Sequence, residues 1–297
     1  MDDLKTIPRS FIFRRLHSFT GFFFVLFLMQ HLFVNSQAAL SADSFIAAVN
    51  DIQNIPYLHV IEIALLAVPI CIHAIWGIFY AWEGKSNSKT SDGSVPSLEK
   101  YPRNHAYTWQ RITAWLLLIA IAAHVAHMRF IEYPETIQNG TLSIDNPPKY
   151  LVHIGTNAAI DAEAKQRGVI LFSSHKPSSA NALNENNITT SPAFLKALKD
   201  NPVSPDESVA ISPDFGTAVL LVLRSTFKIP LMLILYSLFV LTACFHAFNG
   251  LWTFLITWGV TISPKSQRLS TYLCFSLMML VAFLGLSTIW GSYWITL

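Results

Sequence analysis

Charge is what this 297-residue chain has least of: 13% of its residues are Asp, Glu, Lys or Arg, against 52% hydrophobic ones. Mean hydropathy is +0.42. That balance excludes an ordinary soluble domain, where about a quarter of residues are charged, and makes lipid the expected solvent. The 20 basic and 18 acidic side chains nearly cancel, so no basic footprint for nucleic acid is present. Cysteine is scarce too. Cys71, Cys244 and Cys274 each stand alone in an apolar run with no C-x-x-C spacing, which excludes a disulfide framework and an iron–sulfur motif. No small-residue cleavage site follows the first apolar stretch, which is therefore expected to be a retained helix rather than a removable signal peptide.

Long apolar runs are what the chain has in quantity. Crossing a hydrocarbon core of roughly 30 Å takes about 20 helical residues, and five windows qualify: Leu16–Val34, Tyr57–Trp82, Ile112–Phe130, Ile229–Val260 and Leu269–Tyr293. The expected fold is all-α, an integral membrane bundle of five transmembrane helices. Three regions follow: 1–130 with the first three helices, a hydrophilic insertion over 131–217, and 218–297 with the last two. Lys5, Arg9, Arg14 and Arg15 precede the first window, Lys85, Lys89, Lys100 and Arg103 follow the second, and Lys265 and Arg268 follow the fourth. No Lys or Arg stands between Asn35 and Pro56. By the positive-inside rule the N-terminus is cytoplasmic and the insertion lies outside. The insertion is rich in Pro, Ser and Asn, which predicts loops, with a short helix over Ile160–Gly168. Its Asn139-Gly-Thr and Asn187-Ile-Thr match the glycosylation pattern, a short pattern that recurs by chance.

Histidines inside lipid require a reason. Four need one here: His31, His73, His124 and His246. Each alone is explained by a hydrogen bond to a neighbouring helix, but their depths pair. His31 lies fifteen residues in from Leu16 and His124 twelve from Ile112, while His73 lies nine from Trp82 and His246 about ten from Ile256. At 1.5 Å per residue, His31 and His124 share the outer level and His73 and His246 the inner one, roughly 5–10 Å apart. Two histidines per level is the arrangement for two six-coordinate haems, with bis-imidazole ligation favouring electron transfer over oxygen binding. His127 competes with His124, three residues later on a similar face, but stands closer to the interface beside Arg129. His17, His59 and His105 are read as interfacial, and His153 and His175 belong to the insertion without a paired pattern. Glycines follow ligands by one turn in His73-x-x-x-Gly77 and His246-x-x-x-Gly250, making room for a flat macrocycle or for ordinary helix packing.

Arg14, Arg15, Ser18, Arg111 and Arg129, near membrane edges, are candidate partners for haem propionates, although snorkelling and topology explain the arginines equally well. Glu62 stands eleven residues before His73, close to three helical turns, in an otherwise apolar window. It is the candidate proton carrier for a quinone site on the outer side; the plainer alternative is a hydrogen-bonded interfacial acid.

The chain resembles the two-haem cytochrome b anchor subunit of succinate:quinone oxidoreductases, the single-subunit type with five transmembrane helices. The resemblance rests on Phe13-Arg-Arg-Leu-His-Ser-Phe-Thr-Gly21, Gln30-His-Leu-Phe-Val-Asn35, His73-Ala-Ile-Trp-Gly77, Gln110-Arg-Ile-Thr113 with His124, Phe245-His-Ala-Phe-Asn-Gly-Leu-Trp252 and the run from Thr257 to Tyr272. It implies two haem b, with the ligand on the first helix paired to that on the third and the second to the fourth. It also implies a flavoprotein that oxidises succinate, an iron–sulfur partner, a quinone acceptor, with menaquinone favoured, and a place in the bacterial cytoplasmic membrane. The insertion is longer than the family's usual connection. Two alternatives stand beside this: the cytochrome b of a formate dehydrogenase or hydrogenase, whose ligands need a different helix order, and a transporter with histidine proton relays.

Overall fold

The computed structural model describes residues 8–84, 88, 98–137, 149–173, 196, 199 and 206–297. In chain order its helices are α1 (Arg9–Leu40), α2 (Ala42–Gln53), α3 (Leu58–Glu83), α4 (Pro102–Ile131), α5 (Ala158–Gln166), α6 (Phe215–Lys228), α7 (Pro230–Thr257) and α8 (Pro264–Ile295). Of these, α1, α3, α4, α7 and α8 are long and apolar enough to cross a membrane, matching the five windows read from the sequence. Proline opens α4, α7 and α8, at a position whose N–H would have no intrahelical partner anyway. Within α3 the segment Ile63–Ala67 is a wider π turn. Pro69 explains it, since its ring lacks an N–H and crowds the carbonyl four residues back, and widening the turn relieves both.

The chain forms two compact units. The first comprises Met1–Phe33, Tyr57–Ala122 and Leu238–Gly285. Its helices meet through few but close contacts. Phe22 on α1 stacks on Phe254 of α7 at 4.7 Å. A Cβ on Gly285 of α8 would come 2.7 Å from Val240 Cγ1 and 3.1 Å from Leu32 Cδ1, so only glycine admits that approach, a device of membrane helix pairs. On α3 little is covered. None of the most apolar stretch of α3 is buried by protein, and Val60, Ile63, Leu65, Val68 and Phe79 are exposed. An apolar helix face left uncovered by protein finds its apolar partner in lipid.

The second unit comprises Val34–Pro56, Ala123–Ser237 and Leu286–Leu297. Here the expectation of loops is corrected. The short helix is present as α5, capped by Asn157, whose side chain accepts from Ala159 N and Ile160 N. Beside it stand four strands, β1 (Glu135–Ile137), β2 (Lys149–Gly155), β3 (Ile170–Ser173) and β4 (Glu207–Ser212), in an antiparallel sheet of order β1-β2-β4-β3. Strand alternation sends Val152, Ile154 and Ala210 to one face, packed on Ile160 and Ala164 of α5 and Ala218, Leu221 and Val222 of α6. Leu151, Val209 and Ile211 go to the other with Ile137.

Arg224 of α6 is 1% exposed and fully engaged. Its Nε lies 3.1 Å from Glu163 Oε2, its Nη1 donates to Ser292 Oγ at 3.0 Å and its Nη2 to the Ala38 carbonyl at 2.7 Å. A buried guanidinium is tolerable only when paired and hydrogen-bonded in this way. Asn50 of α2 joins the start of α6, donating to Asp214 Oδ1 at 2.8 Å and accepting from Gly216 N at 2.7 Å. The two glycosylation patterns, at Asn139 and Asn187, and His175 lie outside the described residues.

Candidate functional site

Three histidines of the first unit converge. His73 on α3 stacks on His17 of α1, ring centres 4.0 Å apart and planes 13° from parallel. On another side its ring lies 6.3 Å from that of His246 on α7, with planes at 81°. Hydrogen bonds lock the cluster. His73 Nδ1 donates to the His17 carbonyl and His17 Nδ1 to the His73 carbonyl, both at 3.0 Å. Two glycines permit this reciprocal approach: a Cβ on Gly21 would meet His73 Cε1 at 2.7 Å, and one on Gly77 would meet His17 Cε1 at 3.3 Å. The spacing His17-x-x-x-Gly21 answers His73-x-x-x-Gly77 across the pair, so the space beside Gly77 is taken by the His17 ring.

His246 is fixed from α4. Gln110 Nε2 donates to the His246 carbonyl at 3.0 Å, and Asn249 Nδ2 donates to Gln110 Oε1 at 2.7 Å. Thr113 Oγ1 lies 3.1 Å from His246 Nδ1 while its own proton goes back to the Trp109 or Gln110 carbonyl, at 2.8 and 3.1 Å. A hydroxyl has one proton, so toward His246 it accepts and Nδ1 carries the hydrogen. In both His73 and His246 the protonated nitrogen is therefore Nδ1, and Nε2 presents a lone pair. That is the tautomer of a metal-ligating histidine whose far nitrogen is held by a carbonyl or hydroxyl.

The spacing of the two ring centres suits one iron. With metal–nitrogen bonds of about 2.0–2.1 Å and each ring centre roughly 1 Å behind its coordinating nitrogen, one iron would set the centres roughly 6 Å apart, as His73 and His246 are. Among the described residues no group of three or more His, Cys, Asp or Glu could hold a bare metal ion. Two protein ligands suffice when a macrocycle supplies the rest.

His31 stacks on Phe27 at 5.2 Å in the first unit. His124 belongs to the second, where its Nδ1 is 3.4 Å from Tyr236 OH. Tyr236 OH also meets His127 Nδ1 at 3.0 Å, and His127 Nε2 is 3.7 Å from Glu132 Oε1, so His127 is engaged at both ring nitrogens. Among the charged candidates, Arg15 donates to the Thr257 carbonyl at 3.4 Å and lies over the Phe11 ring at 3.7 Å. Arg111 lies over Tyr107 at 4.6 Å and Arg129 over Tyr133 at 4.2 Å. Arg14 is exposed and Ser18 half-buried. Glu62 Oε2 is 3.3 Å from His59 Nδ1. The π turn at Ile63–Ala67 stands between Glu62 and His73, so the regular-helix phase that put them on one face does not carry through.

This geometry has a counterpart in sequence. The chain is 27% identical over 284 residues to the succinate dehydrogenase cytochrome b558 subunit of Bacillus subtilis (strain 168), covering 95% of this chain and 97% of that one. The chain resembles that cytochrome b subunit from end to end. No family model matches, and no solved structure matches. A full-length likeness to a cytochrome b, together with five apolar helices, fits a helical membrane anchor. His17, read as interfacial, is half-buried and packs directly on His73. The signal that would have found it is the third histidine–glycine spacing, His17-x-x-x-Gly21, overlooked because the residue stands one turn inside the basic N-terminal cluster.

Proposed function

We propose that the chain is a two-haem cytochrome b that anchors a succinate:quinone oxidoreductase in the bacterial cytoplasmic membrane and passes electrons between an iron–sulfur partner and quinone. One observation carries the reading: His73 and His246 stand at a spacing one iron would span, each with its lone pair on Nε2. Similarity to a subunit named for both succinate dehydrogenase and cytochrome b supports it. His31 and His124 are proposed as the ligands of the second haem, and Arg14, Arg15, Ser18, Arg111 and Arg129 as propionate partners. Haem held by these histidines would supply one-electron transfer.

The protein's own residues do the rest. Lipid-facing helices hold the site away from water, the Nδ1 hydrogen bonds orient His73 and His246, and Glu62 carries protons for a quinone, which we propose is menaquinone. The N-terminus is assigned to the cytoplasm, where the flavoprotein and iron–sulfur partners dock, with 131–217 outside. Succinate oxidation belongs to a partner subunit.

Adding succinate to membranes that contain the assembled complex is expected to reduce b-type haem absorption bands; bands that ignore succinate, or are absent, contradict the reading. Glu62→Gln should keep both haems and succinate oxidation with an artificial acceptor while quinone turnover falls about 10²-fold, the scale of one lost acid–base group. Unchanged turnover assigns Glu62 to structure.

A further inference from the structure

We propose that His17 is a positioning residue that fixes the ring plane of His73 and thereby the angle between the two axial ligands of one haem. This rests on the reading of His73 and His246 as that haem's ligands. A histidine ligand is free to rotate about its Cβ–Cγ bond unless something blocks its faces and edges. His73 is blocked on one face by the His17 ring at 4.0 Å. Its Cε1–Nδ1 edge rests on Gly21, where a Cβ would come 2.7 Å from Cε1 and 3.1 Å from Nδ1. The Nδ1 proton is held by the His17 carbonyl, and the His17 ring is held in turn by the His73 carbonyl, both at 3.0 Å. Tyr80 meets His17 edge-on at 5.4 Å, so the stacked ring is itself backed. His17 therefore acts twice on His73, through its backbone oxygen and through its ring, while its own ring, flat against His73 at 4.0 Å, leaves no room between them for an iron.

The consequence is spectroscopic. In a low-spin ferric haem with two imidazole ligands, the angle between the ring planes sets the splitting of the iron d orbitals. Near-perpendicular planes give a highly anisotropic signal with one large g value, and near-parallel planes give a rhombic one. With His73 and His246 at 81°, the His73 haem belongs to the first kind.

The test uses the assembled complex, as wild type, His17→Ala and His17→Phe, with haem content, paramagnetic resonance of the oxidised protein and a redox titration. The wild type is expected to show the large-g signal. In His17→Ala, with the haem retained, that signal should broaden and move toward the rhombic form, and the midpoint potential of the same haem should shift. His17→Phe keeps a stacked ring and is expected to restore most of the wild-type signal. Loss of the haem in Ala but not in Phe also supports the proposal, because only the ring separates the two. An unchanged signal and potential in His17→Ala overturns it, as does loss of the haem from both variants, which would make His17 a ligand. A wild type without haem fails the underlying reading instead, and the proposal falls with it.

Discussion

Two helices, α6 and α3, behave oppositely. In α6, Phe215–Phe227 is buried at nearly every position, including Leu220, Leu221 and Arg224, whereas the most apolar stretch of α3 buries nothing. The sheet-and-helix unit closes its core with its own side chains. The helical unit leaves its apolar surface for lipid and concentrates its polar contacts on a few histidines. Stability should therefore depend on packing in the one and on ligand and solvent in the other.

Withholding haem is the strongest way to break that contrast. A cofactor present at ten-thousandfold its Kd stabilises what it binds by about 5 kcal/mol, so amide exchange in haem-depleted protein should speed up around His73 and His246 and stay unchanged in β2 and β4. Equal loss of protection in both units would refute the contrast. Next comes Arg224→Ala, which takes the buried donor from Ser292 and the Ala38 carbonyl and leaves Glu163 with Arg167, 3.7 Å away; it is expected to destabilise the second unit by about 3 kcal/mol with haem content unaltered. Leu221→Ala, at a fully buried position, should cost about 2–5 kcal/mol, whereas Ile119→Ala on the apolar face of α4, 72% exposed, should stay within about 0.5 kcal/mol. Thermal unfolding in detergent ranks the pair; similar losses would mean that the face of α4 is covered.

A smaller effect is expected from pH. Burial raises the Glu132 carboxyl above its usual 4.5, Glu207 adds to the rise and His153 opposes it. The folded protein then holds that proton more tightly than the unfolded chain, so the contribution is present below the usual value and is lost as pH rises through the raised one. Glu132→Gln should flatten the stability profile at pH values above the usual carboxylate range; an unaltered profile would assign the dependence to other groups.

The legibility of the sequence divides along the same line. Membrane helices were readable because lipid demands about 20 apolar residues without interruption, and α1, α3, α4, α7 and α8 overlap the five windows. The sheet was not read, although Lys149-Tyr-Leu-Val-His-Ile-Gly155 carries β-forming residues. Its run is short and stands among prolines, and its partner β4 is more than fifty residues away. A short apolar run is ambiguous until its partner is known. The 14-residue α6 was too short for a membrane window and fell across the edge assigned to the insertion. At the site, depth along the helices puts His73 and His246 on one level, and the structure brings their rings to 6.3 Å. The packing of His17 on His73 was not legible, because it joins residues 56 apart, and the π turn that rotates Glu62 follows from Pro69.

The central claim is that His73 and His246 hold one iron between them. Haem per chain, measured on purified protein as wild type, His73→Ala and His246→Ala, tests it most directly. The account predicts two haems in the wild type and one in each variant, with the same spectral component missing from both. Two haems retained in either variant, or different components lost from the two, would contradict it.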